Sequence, residues 1–333
     1  MSSVFCLLSL AAGAATVTAL IMWVLLRTGY ARRMAVDVPN HRSLHARATP
    51  RIGGWALIPV VVAGLLIWAR PLWPVAWATL GLALISYLDD WRGLSARLRF
   101  IAHVLAASLL LLIYPPPAKW GGMVMVFFLT GCINAYNFMD GADGLAGGMT
   151  LFGFSAYTAA AYSTAPDLAI SAALIAGAAG GFLFFNWPPA RAFLGDAGAI
   201  PLGFLAGALG YIGSMRGIWE CAFPLTVFAP FILDASMTLC RRLLRGEQFW
   251  QAHREHYYQR MIQMSTGHTA TVRIWHVAIL LGAGLALAGL RISAQAQWII
   301  LGLWSGALFM CGLSIDRRWH FWTQRIAVRK NNI

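Results

Sequence analysis

Apolar residues follow one another in long runs along this chain, and short polar segments separate the runs. A helix needs about 20 mainly apolar residues to cross a bilayer, and somewhat fewer where polar anchors flank it. Eleven runs satisfy this requirement, which predicts an all-α polytopic membrane protein with eleven spanning helices. The predicted spans are approximately 4–26, 55–69, 72–88, 100–114, 121–138, 149–163, 168–186, 199–214, 218–240, 274–290 and 297–314.

Composition supports the same class of protein. Of the 333 residues, 59% are hydrophobic and 11% are charged, whereas a soluble domain is roughly 45–50% apolar and 25% charged. The first apolar run lacks the basic start of a signal peptide and is too long for its hydrophobic region, so it predicts a true span. The five cysteines stand singly in apolar runs, without the spacing of a zinc site or a disulfide scaffold. Residues 1–333 are therefore expected to form one integral membrane domain.

The basic residues indicate the orientation of this bundle. Segments after the odd-numbered spans, with the C-terminal tail, hold 21 of the 25 Lys and Arg residues. By the positive-inside rule, these segments face the cytoplasm. The net charge of +13 has the same origin, together with contact with anionic lipids, and does not indicate nucleic-acid binding.

The acidic residues collect on the same predicted side. Of twelve, only Asp167 and Glu220 fall on the outer side. Acidic residues contribute little to topology, and a charge at an apolar helix end is costly unless it is paired, hydrated or metal-bound. The asymmetry therefore predicts a functional site at the cytoplasmic helix mouths. The other ten are Asp37, Asp89, Asp90, Asp140, Asp143, Asp196, Asp234, Glu247, Glu255 and Asp316.

The third predicted span ends in the adjacent pair Asp89-Asp90. Two neighbouring carboxylates repel each other unless a cation or a metal lies close to them. Such a pair could supply a general base, a nucleophile or a metal ligand. A solvated helix cap is the alternative.

Amide and acid side chains recur every third residue at the end of the fifth span, at Asn134, Asn137, Asp140 and Asp143. At about 100° per residue, the first three share one broad helix face. Asp143 would point away unless the helix ends near Gly141 and the chain turns. These side chains are hard oxygen ligands of the kind that magnesium prefers, although Asn, Asp and Gly also make plain turns.

Two further polar segments fall on the same side. Residues 186–198 combine a proline turn, one arginine, aromatic residues and Asp196, which suits an aromatic base, a phosphate and a metal; an interfacial anchoring loop is the alternative. In the largest inner loop, a helix would place His253 and His256 on one face, near Arg254 and Arg260. These cations favour a diphosphate over zinc, since further zinc ligands are missing.

Three more titratable residues lie within or near the spans. Asp234, two turns before Arg241, is a buried acid and hence a functional candidate. His103 and His276 are interpreted as packing or interfacial residues.

Taken together, these segments resemble the polyprenyl-phosphate N-acetylhexosamine-1-phosphate transferases, glycosyltransferase family 4, over roughly residues 30–270. No single motif would suffice, and the order of the motifs on one side of the bundle supports the resemblance. The motifs are Asp37-Val-Pro39-Asn40-His-Arg42-Ser43-Leu-His45 with Thr49-Pro50-Arg51-Ile-Gly53-Gly54, Asp89-Asp90, Asn137-Phe-Met-Asp140-Gly-Ala-Asp143-Gly, Phe193-Leu-Gly195-Asp196, Pro230 with Asp234 before Arg241-Arg242, and His253-Arg254-Glu-His256.

The resemblance implies a reaction and a set of roles. A UDP-N-acetylhexosamine would react with undecaprenyl phosphate at the cytoplasmic face of the bacterial inner membrane, with Mg²⁺ as cofactor, and UMP would leave. Asp196 would be the foremost magnesium ligand and Asn137 a second. Asp89 would be the base, with Asp90 supporting it, while Asp140 and Asp143 would bind nucleotide or order the metal site. Substrate-binding roles are implied for Asn134, Arg99, Asp234, His253, Arg254, His256, His45 and Arg51.

The loop 37–54 and the segment 253–256 bear on the pathway and on the rival functions. The loop from Asp37 to Gly54 resembles the O-antigen and polysaccharide initiators, and the segment 253–256 departs from the histidine triplet of the phospho-N-acetylmuramoyl-pentapeptide transferases. Initiation of O-antigen or a related surface polysaccharide is therefore the leading expectation. The identity of the sugar (GlcNAc, FucNAc or QuiNAc), direct or covalent attack, and a homodimeric state are left open. A cation-coupled transporter is the rival class, but transporters place their sites near the midplane, and a lipid-binding scaffold would not need so many acids.

Overall fold

A computed structural model describes residues 4–39, 47–117, 121–248 and 253–331. Of these described residues, 80% are helical. The helices are α1 (Val4–Arg27), α2 (Ala31–Met34), α3 (Gly53–Trp68), α4 (Trp73–Arg92), α5 (Ala96–Ile113), α6 (Gly121–Phe138), α7 (Leu145–Ala161), α8 (Pro166–Asn186), α9 (Asp196–Met215), α10 (Ala222–Leu244), α11 (Tyr257–Met261), α12 (His268–Gly289) and α13 (Ala294–Asn331). Two strands of two residues each, β1 (Val36–Asp37) and β2 (Thr49–Pro50), pair antiparallel before α3.

The all-α polytopic membrane fold expected from the sequence is confirmed. Every predicted span coincides with a helix, and nine helices of the described residues are long and apolar enough to cross a membrane. The α3 helix is apolar but has 16 residues, and α7 has 17. The total of eleven spans therefore remains a prediction.

Several helices extend beyond their apolar runs. The α9 helix begins at Asp196 rather than near 199, α12 begins at His268 rather than near 274, and α13 continues to Asn331 rather than 314. Hydropathy detects only the part of a helix that lipid requires to be apolar, so it misses polar terminal turns. The added turn of α9 begins with Asp196, the predicted magnesium ligand.

Small residues bring the central helices close together. The α8 and α9 helices are the most buried, whereas α1 and α13 are largely exposed to the surroundings of the bundle. A Cβ added at Gly181 of α8 would lie 2.9–3.0 Å from backbone atoms of Ala15 on α1, and one at Gly203 of α9 would lie 2.8 Å from the Cys132 carbonyl oxygen on α6. Close approach through small residues is the usual way in which helices pack in lipid.

The starts of α3 and α9 lie against each other at one end of the bundle. The N–H of Gly53 donates to the Phe193 carbonyl at 2.9 Å, and the N–H of Gly54 donates to the Leu194 carbonyl at 2.8 Å. A Cβ on Gly54 would lie 2.5 Å from the Ala197 carbonyl carbon, so only glycine fits there. This contact brings the β1–β2 hairpin and the first turn of α9 to one place.

Candidate active site

A cavity of about 1480 Å³ lies at the end of the bundle where α4, α6, α8 and α10 end and α3, α5, α7 and α9 begin. Carboxylates, amides and cations line its mouth. It also reaches between helices to Phe127, Ile200 and Leu239, and Phe127 lies eleven residues before the end of α6, which is about 16 Å along a helix. The predicted site residues that line it are Arg51, Arg99, Asn134, Asn137, Asp140, Asp143, Asp196, His253 and His256.

Asp196 is the first residue of α9 and lies at the centre of the polar mouth. The side chain of Asn137 donates a hydrogen bond to it. The backbone N–H of Gly195, which has a positive φ of 74°, donates to the Asp140 carboxylate. The start of α9 therefore brings Asp196 next to Asn137 and Asp140, which lie on another segment of the sequence.

Asp140 is the acid outside the helices whose ionisation is most perturbed. Burial, and then the repulsion from Asp196, hold the pKa of Asp140 well above its ordinary value. Arg51 and the Gly195 N–H act in the opposite direction but are outweighed. A further cation bound in the mouth would relieve the repulsion between Asp140 and Asp196.

Two arginines join the adjacent acid pair to the rest of the mouth. Nη1 of Arg99 lies 3.0 Å from Oδ2 of Asp89 and 3.7 Å from Oδ2 of Asp196. Nη2 of Arg51 lies 2.9 Å from Oδ2 of Asp37, and its Nη1 lies 3.7 Å from Oδ1 of Asp90. Arg99 and Arg51 line the cavity, whereas Asp89 and Asp90 lie behind these arginines and do not line it.

Asp143 fixes the loop between α8 and α9. The α6 helix ends at Phe138, slightly before the predicted break, and the turn that follows aims Asp143 at this loop. Its Oδ2 accepts the Ala190 N–H at 2.9 Å, and one turn earlier Oδ1 of Asn186 accepts the Gly144 N–H at 2.8 Å. The helix therefore ends and the chain turns before Asp143, close to the expected position at Gly141. Asn186 is a site residue that the sequence analysis did not select.

His253 and His256 meet at the cavity wall, but the prediction of a shared helix is wrong. The α11 helix begins at Tyr257, with His256 at its N-cap and His253 in the segment before it. Their ring centroids nevertheless lie 4.9 Å apart. Burial lowers the pKa of His253 to about 4, and His256 adds to the effect.

Asp234 lies behind these histidines and does not line the cavity, so its expected contact with substrate is not seen. Its side chain is fully enclosed. Oδ1 accepts from Nδ1 of His256 at 3.1 Å and from the Tyr257 N–H at 2.9 Å, and Oδ2 accepts from the Tyr258 N–H at 3.2 Å. A carboxylate that accepts the free N–H groups of a first turn determines where the helix begins.

The cations near the histidines also differ from expectation. Arg254 is exposed and does not line the cavity. Nη2 of Arg260 lies 3.1 Å from Oε2 of Glu255, and its Nη1 lies 2.8 Å from Oδ1 of Asp316 on α13. Arg241 also pairs with Asp316. These ion pairs connect α10, α11 and α13, so the guanidinium of Arg260 is paired within the protein. His45, a predicted substrate-binding residue, lies outside the described residues.

Comparison with known proteins gives this site a family. Residues 72–214 match the family model described as glycosyl transferase family 4. Over these residues the chain is similar to glycosyltransferase family 4. A probable undecaprenyl-phosphate N-acetylglucosaminyl 1-phosphate transferase of Bacillus subtilis (strain 168) is 27% identical over 288 residues, which cover 80% of each protein.

Two phospho-N-acetylmuramoyl-pentapeptide-transferases are also similar over shorter segments. The protein of Microcystis aeruginosa is 33% identical over 204 residues, 53% of this chain and 57% of the relative. The protein of Geobacillus kaustophilus is 31% identical over 189 residues, 46% of this chain and 58% of the relative. The resemblance inferred from the motifs is thus confirmed, and this chain is a multi-pass membrane enzyme.

The oxygen ligands at the mouth of this cavity fit a magnesium ion. Within the described residues, no three His, Cys, Asp or Glu side chains form a metal-binding cluster. Magnesium, however, usually takes one or two protein carboxylates and completes its shell with water and substrate phosphates. Asp196, with Asn137 bonded to it and Asp140 beside Gly195, offers such a set.

Some cavity residues were not recognised in the sequence or were given a packing role. Tyr258 and Gln259 line the cavity, and the Tyr258 hydroxyl donates to the Phe138 carbonyl at 3.0 Å. His103, interpreted from the sequence as packing, also lines it. No local pattern marks these residues, because each is brought to the cavity by contacts between helices distant in sequence.

Proposed function

We propose that this enzyme transfers N-acetylhexosamine-1-phosphate from a UDP-sugar to undecaprenyl phosphate, at the cytoplasmic side of the bacterial inner membrane. The observation that supports this most directly is the shape of the cavity, which has a mouth of acids and cations and an apolar extension between helices. A nucleotide diphosphate suits the mouth, and the chain of a membrane lipid suits the extension. The products would be undecaprenyl-diphosphate sugar and UMP, and the whole chain, residues 1–333, would act as one transferase domain.

In this reaction an oxygen of the lipid phosphate bonds to the phosphorus that bears the sugar, and the bond to the bridging oxygen of the diphosphate breaks. Asp89 takes the proton of the lipid phosphate, and Asp90 supports its charge. Both oxygens of Asp89 are already hydrogen-bonded, to Leu94 N–H at 2.7 Å and to Arg99. Each carboxylate oxygen has a second lone pair, so Asp89 can still accept a proton. Because Arg99 lines the cavity and Asp89 does not, the lipid phosphate would reach Asp89 beside Arg99.

The remaining mouth residues bind and orient the donor. Magnesium held by Asp196 and Asn137 would supply charge neutralisation at the phosphates, which is the main requirement of phosphoryl transfer. Asp140 and Asp143 order the nucleotide side, and His253 and His256 contact the diphosphate. Asn134, Arg99 and Arg51 complete the polar wall.

The pathway is proposed from the loop 37–54, which resembles the initiators of O-antigen and related surface polysaccharides. A phospho-N-acetylmuramoyl-pentapeptide transferase is the second candidate, because two similar relatives have that name. A transporter is disfavoured, since the deepest candidate acid, Asp234, is enclosed by protein hydrogen bonds rather than open to a pathway.

The decisive experiment is UMP release by the purified protein with undecaprenyl phosphate, Mg²⁺ and a panel of UDP-sugars. The panel includes UDP-GlcNAc, other UDP-N-acetylhexosamines and UDP-N-acetylmuramoyl-pentapeptide. We expect release with an N-acetylhexosamine donor, no release without Mg²⁺, and loss of release in Asp196→Asn. The matched control is Asp167→Asn, which removes a carboxylate paired with Arg216 away from the cavity. Absence of UMP with every donor would exclude the proposed activity.

A further inference from the structure

His103 lies on the cavity wall about 10 Å from the start of α5, seven residues into the helix. It is one turn past Arg99 and only 6% exposed. Its Nδ1 is enclosed and has no hydrogen-bond partner in the part of the chain that the structure describes. A titratable side chain at such depth in a membrane protein is costly and usually functional.

Thr130 on the facing helix α6 has the same property. It lines the same cavity, is 4% exposed, and its Oγ1 has no partner among the described residues. Thr79 and Thr226, which are also buried, instead donate to the carbonyl one turn back, each at 2.7 Å. Thr18 and Thr271 are also without a partner among the described residues, but they do not line this cavity. Buried polar atoms are nearly always hydrogen-bonded, so these two side chains, on neighbouring helices of the same cavity, form a polar site that the described residues leave incomplete.

The unpartnered Nδ1 of His103 also indicates which ring nitrogen carries the hydrogen. An unpaired lone pair is tolerated better than an unpaired N–H, so Nδ1 is the lone-pair nitrogen and Nε2 bears the hydrogen. His103 then offers one donor, and the Thr130 hydroxyl offers another. Both suit an acceptor group such as a phosphate oxygen.

The surroundings define the chemistry of the molecule that these donors would bind. On one side Arg99 connects to Asp89 and Asp196, and on the other the cavity continues to Phe127 and Leu239. A group at this junction has a charged head toward the mouth and an apolar body toward the membrane. A nucleotide sugar has no apolar body of this kind, whereas a lipid phosphate has both parts.

We propose that His103 and Thr130, together with Arg99, bind the phosphate of the lipid acceptor and hold it beside Asp89. The inference rests on the proposed function in naming the acceptor, but the subsite itself can be tested without turnover. In this arrangement His103 contacts substrate, and the acceptor phosphate lies deeper in the bundle than the donor diphosphate.

The kinetic test separates the two substrates. We expect His103→Leu and Thr130→Val each to raise the KM for undecaprenyl phosphate about tenfold, as loss of one hydrogen bond to a charged group does. The KM for the UDP-sugar should stay within about twofold, and His103→Gln, which restores an N–H donor, should recover most of the lipid KM. A merely structural role would lower the active fraction, and therefore kcat, without changing the KM for lipid.

The binding test uses farnesyl phosphate, farnesol and inorganic phosphate, with thermal unfolding in detergent as the readout. We expect farnesyl phosphate to stabilise the wild type and His103→Gln but not His103→Leu, and farnesol or inorganic phosphate at the same concentration to have little effect. Matched controls are His320→Leu, an exposed histidine on α13, and Thr158→Val, whose hydroxyl already donates to the Phe154 carbonyl.

Three outcomes would overturn the proposal: equal stabilisation of wild type and His103→Leu by farnesyl phosphate, stabilisation by inorganic phosphate alone that depends on His103, or a rise confined to the KM for the UDP-sugar. The last would assign His103 to the donor instead. If the wild type releases no UMP with any donor but the farnesyl phosphate result holds, the proposed reaction fails and the lipid-phosphate subsite stands.

Discussion

Oδ1 of Asp234 lies 3.1 Å from Nδ1 of His256, and the carboxylate is fully enclosed by protein. One nitrogen of the histidine is therefore committed to the protein, while the residue itself lines the cavity. A carboxylate that accepts from Nδ1–H holds the ring so that Nε2 points away from Asp234 and is left for a ligand. Asp234 is thus best described as the residue that orients His256.

Replacing Asp234 tests this relationship. We expect Asp234→Asn to lower kcat/KM for the UDP-sugar roughly 10- to 100-fold, a range typical of residues that orient a ligand-binding histidine. It should also lower the thermal unfolding temperature, because α11 loses its anchoring charge. The comparison is Asp167→Asn, where the pair with Arg216 lies away from the cavity and both effects should be small. Unchanged kinetics in Asp234→Asn would contradict the orienting role.

The adjacent acids should respond unequally to removal of charge. The carboxylate of Asp89 accepts hydrogen bonds from the Leu94 N–H and from Arg99, whereas the ion pair of Asp90 with Arg51 is longer, at 3.7 Å. We expect Asp89→Asn to lower kcat at least about 100-fold, as loss of a general base does, and Asp90→Asn to lower it about tenfold. UMP release under saturating substrates measures both. A greater loss in Asp90→Asn would transfer the role of base to Asp90.

The stability of the protein should depend on pH through His253. Burial lowers the pKa of His253 to about 4 in the folded protein, against about 6.5 for a free imidazole. Between these values the folded state binds fewer protons than the unfolded state, so stability falls as pH falls through this range and is level above it. Thermal unfolding between pH 8 and pH 4.5 should show this decline, with a smaller decline in His253→Asn. Identical pH profiles for the two proteins would contradict the assignment.

The contact between α3 and α9 should tolerate no side chain at Gly54. An added Cβ meets backbone atoms of Ala197 and Gly198, which cannot rotate away. Gly54→Ala should therefore cost about 1–3 kcal/mol of stability and reduce UMP release, since the start of α9 holds Asp196. Gly81→Ala in α4 is the matched control, because no atom lies within 4 Å of the added Cβ. Comparable unfolding temperatures for both variants would argue against close packing at Gly54.

The bundle and the location of the site follow from the sequence because both depend on local properties. Hydrophobic runs identify the helices, and the bias of Asp and Glu toward one set of loops identifies the end of the bundle where the cavity lies. The spacing of Asn137 and Asp140 within one segment also placed them on one helix face. Each of these inferences uses composition or spacing within one segment, whereas the grouping of Asp196 with Asn137 was implied by the resemblance to the family.

The rest depends on contacts between distant segments. The spacing of His253 and His256 favoured a helix, but Asp234, some twenty residues earlier, accepts the first N–H groups of α11 and sets its start at Tyr257. Arg260, one of the cations near the histidines in the sequence, is paired with Glu255 and with Asp316 on α13. No pattern within a segment reveals such partners.

The hydrogen bonds from Gly53 and Gly54 to Phe193 and Leu194 have a consequence for biogenesis. The cavity needs a segment near residue 50, the start of α9 and the histidines beyond residue 250. A ribosome-bound chain must therefore insert most of its helices before Asp89, Asp90 and the proposed magnesium ligands can meet. Under the proposed function, nascent chains shorter than about residue 260 should be inactive, so that a partly assembled enzyme would not act on the lipid acceptor.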